Sequence, residues 1–169
     1  MLLFSNVERS VYEKVKSLLV TPPGGFTNGF NIYDEDDFRD SSLTAVFPYV
    51  YLLGFRAAPQ ASKVPMIVID TGVMSQAYYE IGNRGGNVGL VSLHIFAKTR
   101  GQRDDFGAFF REYLYSIPIN DYSATPATAL FTAFADGINV QRVSVAPDVG
   151  LEGVLNNWVS VTFQLLLLQ

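Results

Sequence analysis

Val91-Ser92-Leu93-His94-Ile95-Phe96-Ala97 alternates like a β-strand and runs through Lys98-Thr99-Arg100 directly into a stretch with helical spacing. A strand that feeds straight into a helix commits the chain to a layered mixture of the two elements. Thr99 to Gln102 has capping-box spacing, and Phe106, Phe109, Phe110, Tyr113, Leu114 and Ile117 fall on one face. The predicted helix spans 99–117 and is closed by Pro118. The junction has the look of a nucleotide or active site, yet it holds none of the residues that such a site requires.

The other segments fit around this unit. Ser5-Asn6-Val7-Glu8 reads as a capping box, and Val7, Val11, Val15 and Leu18 form a helical stripe, so a helix is expected over 5–20. Residues 21–42 keep no period, and carry Pro22-Pro23-Gly24-Gly25 and the acidic run Asp34-Glu35-Asp36-Asp37, which describes a long irregular loop. Strands and a hairpin are expected over 43–97. Leu43 to Phe55 alternates, with Pro48 pointing to an edge or a bulge, and Met66-Ile67-Val68-Ile69 reads as a buried strand. Gly82-Asn83-Arg84-Gly85-Gly86-Asn87 reads as the tip of a protruding hairpin that begins at Gln76. Ala127 to Phe134 reads as a short helix or a loop. Two closing strands are expected over 137–168, with Val159, Val161, Phe163 and Leu165 inward.

Together these give one domain over 1–169 of the α+β class, an α/β sandwich. Its sheet is expected to be mainly antiparallel or mixed, with two helices packed on one face.

The chain has 169 residues, 49% hydrophobic and 17% charged, so it is apolar for a domain that must cover itself. Burial between subunits would account for the excess. A net charge of -4 and no basic run exclude a protein whose main partner is nucleic acid. The absence of cysteine removes disulfides, thiolate nucleophiles and sulfur-ligated metal. The apolar ends are too short for a secretory signal or a bilayer span, so no membrane partner is expected.

His94 is the sole histidine, and a general base needs a nucleophile or an orienting carboxylate beside it. A strand histidine is the plain reading. The acids 34–37 lack the glycine and closing glutamate of a calcium loop, which leaves a solvated loop or an acidic contact surface. The glycine-rich 82–86 joins two strands and opens no helix, so it makes no phosphate cradle. Arg100, Arg103, Asp104 and Asp105 crowd the expected first turn of the second helix, where they pair within the chain or across a subunit contact. No catalytic, cofactor or metal residues are expected.

The strand Val91–Ala97, the turn Lys98-Thr99-Arg100-Gly101-Gln102-Arg103-Asp104-Asp105, the helix and then Ile117-Pro118-Ile119-Asn120-Asp121-Tyr122 resemble the tail-terminator (tail-completion) and related neck proteins of tailed bacteriophages. The resemblance covers about 35 residues in 88–122. It implies a small α/β domain without catalytic residues, assembled in the host cytoplasm into a homo-hexameric ring of the virion neck. Such a ring sits on the end of the tail tube, stops its polymerisation and joins a head-closure or adaptor protein, while DNA passes through without specific contacts. A ring needs two different patches per subunit. The candidates are Tyr78, Tyr79, Glu80 and Arg84 on the hairpin, the Arg100, Arg103, Asp104 and Asp105 cluster, and the strand near Pro48. Acids such as Asp34, Glu35, Asp36, Asp37 or Glu80 would repel DNA if they faced the lumen. Another neck component, a head-completion or tail-adaptor protein, fits the same pattern. From a different class, a small hydrolase or ligand-binding α/β domain would need a pocket at His94 with a carboxylate in reach.

Overall fold

The computed structural model describes residues 4–23, 29–46, 48–54, 60–77, 86–142 and 157–167. Helix α1 (Phe4–Val20) buries Val7, Val11, Val15, Leu18 and Leu19, the stripe that the spacing predicts. Its start differs from the capping-box expectation. Ser5 already lies inside the helix, and the Glu8 carboxylate accepts a hydrogen bond from Thr71 Oγ1 at 2.8 Å rather than turning back on the helix end.

Seven strands follow in one mixed sheet: β1 (Asn31–Tyr33), β2 (Tyr49–Leu53), β3 (Met66–Ala77), β4 (Gly86–Phe96), β5 (Ser116–Asp121), β6 (Thr128–Arg142) and β7 (Trp158–Leu167). Their spatial order is β1-β2-β3-β4-β7-β6-β5. β1 pairs with β2 and β2 with β3 in parallel, and the remaining pairs are antiparallel.

The described part of 21–42 is more ordered than expected. It contains β1 and a short helix α2 (Glu35–Arg39), and the acidic run is what starts that helix. The Asp34 carboxylate accepts from the N–H groups of Asp36 and Asp37 at 2.9 and 3.2 Å, while Asp37 Oδ2 accepts from Asp34 N–H at 3.0 Å. This is a capping box built from two aspartates, a variant of the Ser/Thr and Glu/Gln form.

Alternation over Leu43 to Phe55 also misleads. β2 covers five residues, lies between two parallel neighbours and is buried from Val50 to Leu53, so it has no solvent face. Pro48 stands just before it, with its carbonyl accepting from Asn31 N–H at 2.9 Å, and marks a strand start rather than a sheet edge. β3 is a single 12-residue strand with a register shift between Thr71 and Met74, where two strands were expected. It pairs with β4 out to Ala77 and Gly86, as a hairpin must, and the tip at 78–85 lies outside the described residues.

Helix α3 (Arg100–Tyr113) is capped by Thr99, whose hydroxyl accepts from Gln102 N–H. The Gln102 amide oxygen reaches back one residue further than a capping box requires, to Lys98 N–H at 2.9 Å. The helix stops before the expected 117, and Ile117-Pro118-Ile119 belongs to β5. Ile117 satisfies both patterns, because it continues the aromatic stripe and also alternates with buried Ile119. Pro118 is exposed on the outermost strand, where a missing donor costs little. Ala127 to Phe134, read as helix or loop, is mostly the first half of β6, one strand of 15 residues. Gly137 adopts φ 61° at the register shift between Asp136 and Asn139, a left-handed conformation suited to a bulge.

Among the described residues three helices pack on the sheet, where two on one face were expected. α1 and α3 contribute side chains to the larger buried cluster, against Val50, Leu52, Ile67, Ile69, Val91, Leu93, Ile95 and the inward residues of β5 and β7. α2 packs through Phe38 on a second cluster, made of Ala45, Tyr51, Leu53, Val64, Met66, Val68 and Phe96. Because adjacent residues of a strand point to opposite faces, Val50 and Leu52 enter one cluster while Tyr51 and Leu53 enter the other. α3 lies close to the sheet at Gly107, where an added Cβ would come within 2.9 Å of Val140 Cγ1. No helix among the described residues is long and apolar enough to cross a membrane.

Candidate assembly surface

The second cluster covers one end of the sheet, and the outer face of β4, β7 and β6 continues beyond it. Inward positions of these strands, Val91, Leu93, Ile95, Val159, Val161, Phe163, Leu165 and Ala133, fill the main core. Outward positions form rows fixed by register: His94, Ser160 and Gln141; Ser92, Thr162 and Asn139; Leu90, Gln164 and Asp136; then Leu166 and Phe134. Leu90 is 49% exposed and Phe134 54%. Half-buried Leu166 stands directly opposite Phe134, about 5 Å away by strand geometry, and diagonal to Leu90 at about 7 Å. The result is a small apolar patch among serine, threonine, asparagine and glutamine. Asp136 is the one carboxylate, and His94 the one basic side chain, among these described outward positions.

The same strand offers a second feature. β6 pairs with β7 from Phe134 to Arg142, and with β5 from Thr128 to Phe134. Over Thr128–Thr132 no described strand lies on the β7 side, and Thr128, Ala129, Leu130 and Thr132 are all exposed, Leu130 at 44%. α1 holds this β5–β6 ribbon in place from the other side. Asn6 Oδ1 accepts from Tyr122 N–H at 3.3 Å, Ser10 Oγ accepts from Asn120 N–H at 3.0 Å, and Arg9 lies 4.4 Å from the Tyr122 ring centre.

Residues singled out from sequence separate into three groups. Tyr78, Tyr79, Glu80 and Arg84 lie outside the described residues. Asp34, Glu35, Asp36 and Asp37 start α2, and the hydrogen bonds of its N-terminus use Asp34 and Asp37. Of the third group, Arg103 is buried and its Nε donates to Asp104 Oδ1 at 2.8 Å, while Arg142 reaches Asp104 Oδ2 at 2.9 Å. Asp104 therefore ties α3 to β6 within the chain, and the hydrogen bond from Arg103 is the largest of the causes that hold its carboxyl below the usual range. The helix begins at Arg100, which puts Asp104 and Asp105 in its second turn rather than its first. Arg100 and Asp105 are exposed.

Two buried polar arrangements have the chemistry of sites without the access. Lys63 is 2% exposed, and its ammonium donates to the carbonyls of Asp37 and Asp40 and to the Tyr51 hydroxyl. It caps the C-terminal end of α2, where a cation is favoured. Burial pushes the Tyr51 hydroxyl up from its ordinary value, assisted by Tyr33, Asp37 and Asp40. His94 lies beside Trp158, ring centres 5.7 Å apart. Neither described cavity is lined by Lys63, Tyr51 or His94. One is an apolar crevice between Leu18, Leu19, Pro22, Phe30, Phe106 and Phe109. The other is an open groove of about 190 Å³ along Ser5, Glu8, Arg9, Tyr12, Gly54, Ile69 and Thr71. Among the described residues no group of three potential metal ligands comes together.

The outward face of β6 was missed by sequence reasoning. Thr128-Ala129-Leu130-Phe131-Thr132-Ala133-Phe134 is apolar or small on both faces, so alternation has no polar half to reveal it. Its threonine and aromatic content was the available signal. No family model and no curated protein matches the chain.

Proposed function

We propose that this protein is a virion structural component of the tail-terminator type. It assembles from copies of itself into a ring at the end of a tail tube, stops further polymerisation and gives a head-closure or adaptor protein its docking surface. The observation that supports the self-assembling part is the end of the outer face of β4, β7 and β6 where Leu90, Leu166 and Phe134 lie exposed or half-exposed, with Asp136 the one carboxylate among the described outward positions. Apolar surface of this kind on a well-packed domain marks a contact with another protein. The phage assignment itself rests on the resemblance of the strand, turn, helix and strand in 91–122.

In this reading the work is done by shape and buried area, with no catalytic residue, cofactor or metal. DNA crosses the lumen without base contacts, and the acids 34–37 are offered as lumen groups that discourage sticking. The experiment is to mix purified protein with polymerising tail-tube protein and to image the products. Tubes of uniform length that end in an added ring support the proposal, and tubes that grow on with no extra density overturn it. A chain that forms a ring only on a portal or adaptor partner would instead be a head-completion or tail-adaptor protein.

A further inference from the structure

We propose that α1 closes the sheet to strand addition: Asn6 and Ser10 take the place of a neighbouring strand along β5, and the C-terminal end of the same helix does so beside β1. The closure is an autoinhibitory contact against pairing with a strand from a second copy. It is independent of whether the chain caps a tube.

β1 and β5 are the end strands of the sheet among the described residues. An end strand presents a row of N–H and C=O groups to which another chain can add a strand. Along β5 the donors of that row are engaged. Asn120 N–H donates to Ser10 Oγ at 3.0 Å, and Tyr122 N–H, one residue past the strand, donates to Asn6 Oδ1 at 3.3 Å. N–H groups two residues apart on a strand point to the same side, so the next of this set belongs to position 118. It is a proline and has no donor.

The fit is one of periods. Four residues of helix rise about 6 Å, and two residues of strand about 6.7 Å. Side chains at 6 and 10 therefore meet the N–H groups at 122 and 120 as helix and strand run in opposite senses. One further step brings position 14 to 118, where Lys14 offers no acceptor and Pro118 requires none. Asn6 and Ser10 are 4% and 2% exposed, and polar side chains are tolerated at such depth only when they are hydrogen-bonded. At the other end of the sheet, Phe30 N–H, immediately before β1, donates to the Leu19 carbonyl at 2.8 Å. The approach is so close that a Cβ at Gly29 would collide with the Val20 carbonyl. One helix is thus hydrogen-bonded beside both end strands.

Amide exchange read residue by residue in the intact chain tests the closure. Asn120 and Tyr122 are expected to be protected in the wild type. Ser10→Ala is expected to speed exchange at Asn120 at least about tenfold and to leave Tyr122 within about threefold, with Asn6→Ala giving the reverse. Both amides speeding equally in either variant would mean that α1 had loosened as a whole, and overturns the two side-chain roles. Light scattering reads the consequence. Asn6→Ala/Ser10→Ala is expected to self-associate at least about tenfold more tightly than wild type, because two donors of an end strand are freed. Adding Asn120→Pro, which removes one of them, is expected to reverse most of that gain. A double variant that associates no more than wild type overturns the closure, and so does a gain that survives Asn120→Pro. If the double variant does not fold, Ser10→Ala alone against Ser10→Ala/Asn120→Pro decides the same question by the same two readings.

Discussion

The two ends of the sheet use similar residues to opposite effect. β2 and the first half of β3 are apolar, and Val50–Leu53 and Met66–Ile69 are buried on both faces, one against α1 and the main core, the other against α2. The first half of β6 is nearly as apolar, with Leu130, Phe131, Ala133 and Phe134, yet Leu130 and Phe134 are exposed. Strands in parallel pairs are covered on both faces as a rule, whereas antiparallel ones tolerate one open face. The comparison teaches that an apolar strand states a need for cover without stating who supplies it. At β2 the cover is the chain's own acidic helix, and at β6 the described residues leave Leu130 and Phe134 exposed.

That contrast can be broken by substitution. Phe110→Ala, in the fully buried part of α3, is expected to cost about 3–5 kcal/mol in denaturant unfolding, against less than about 0.5 kcal/mol for Phe134→Ser on the open face. Equal losses would mean that the face is covered within the chain. Lys63→Ala should cost about 2–3 kcal/mol, because Asp37 and Asp40 carbonyls lose a charged donor and Tyr51 is left with a void. Faster hydrogen exchange over Glu35–Arg39 would show that the loss falls on the α2 cover. Gly107→Ala is expected to cost about 1–3 kcal/mol by forcing α3 away from Val140, and wild-type stability there would contradict the close approach.

The smallest effect concerns Asp104. Its carboxyl is held below the usual range in the folded chain, so its contribution is complete above the unfolded value, near pH 4, and is lost as pH falls through the lower folded value. The group is 40% exposed, which limits the effect of Asp104→Asn to under about 1 kcal/mol near neutral pH. Unfolding curves of variant and parent should converge in acid. A gap that widens on acidification would reverse the sign argued here.

Legibility followed the strength of local patterning. α1, α3, the β3–β4 hairpin and inward-facing Val159, Val161, Phe163 and Leu165 were readable because each has one apolar face at a fixed period. The errors fell where a second force overrode the period. Ile117 ended a helical stripe and began a strand, an aspartate pair replaced the usual capping residues at α2, and burial on both faces erased alternation in β2. For the candidate site, the Asp104 cluster was read as ion pairing or subunit contact, and the geometry supplies the ion pairs, with Arg103 and Arg142. The β6 surface was not legible, since nothing local separates an apolar strand that is covered from one that is not.

By itself the sequence determined which residues could be helix or strand, and that no cysteine would lock them, because propensity, capping and periodicity act over a few neighbouring residues. Tertiary structure alone decided that β1, β2 and β3 run parallel, that β7 inserts between β4 and β6, and that α2 covers one end of the outer face while Leu90 and Phe134 are exposed at the other. Those outcomes depend on contacts between segments far apart in the chain, and a period read along a strand carries no record of what lies across from it.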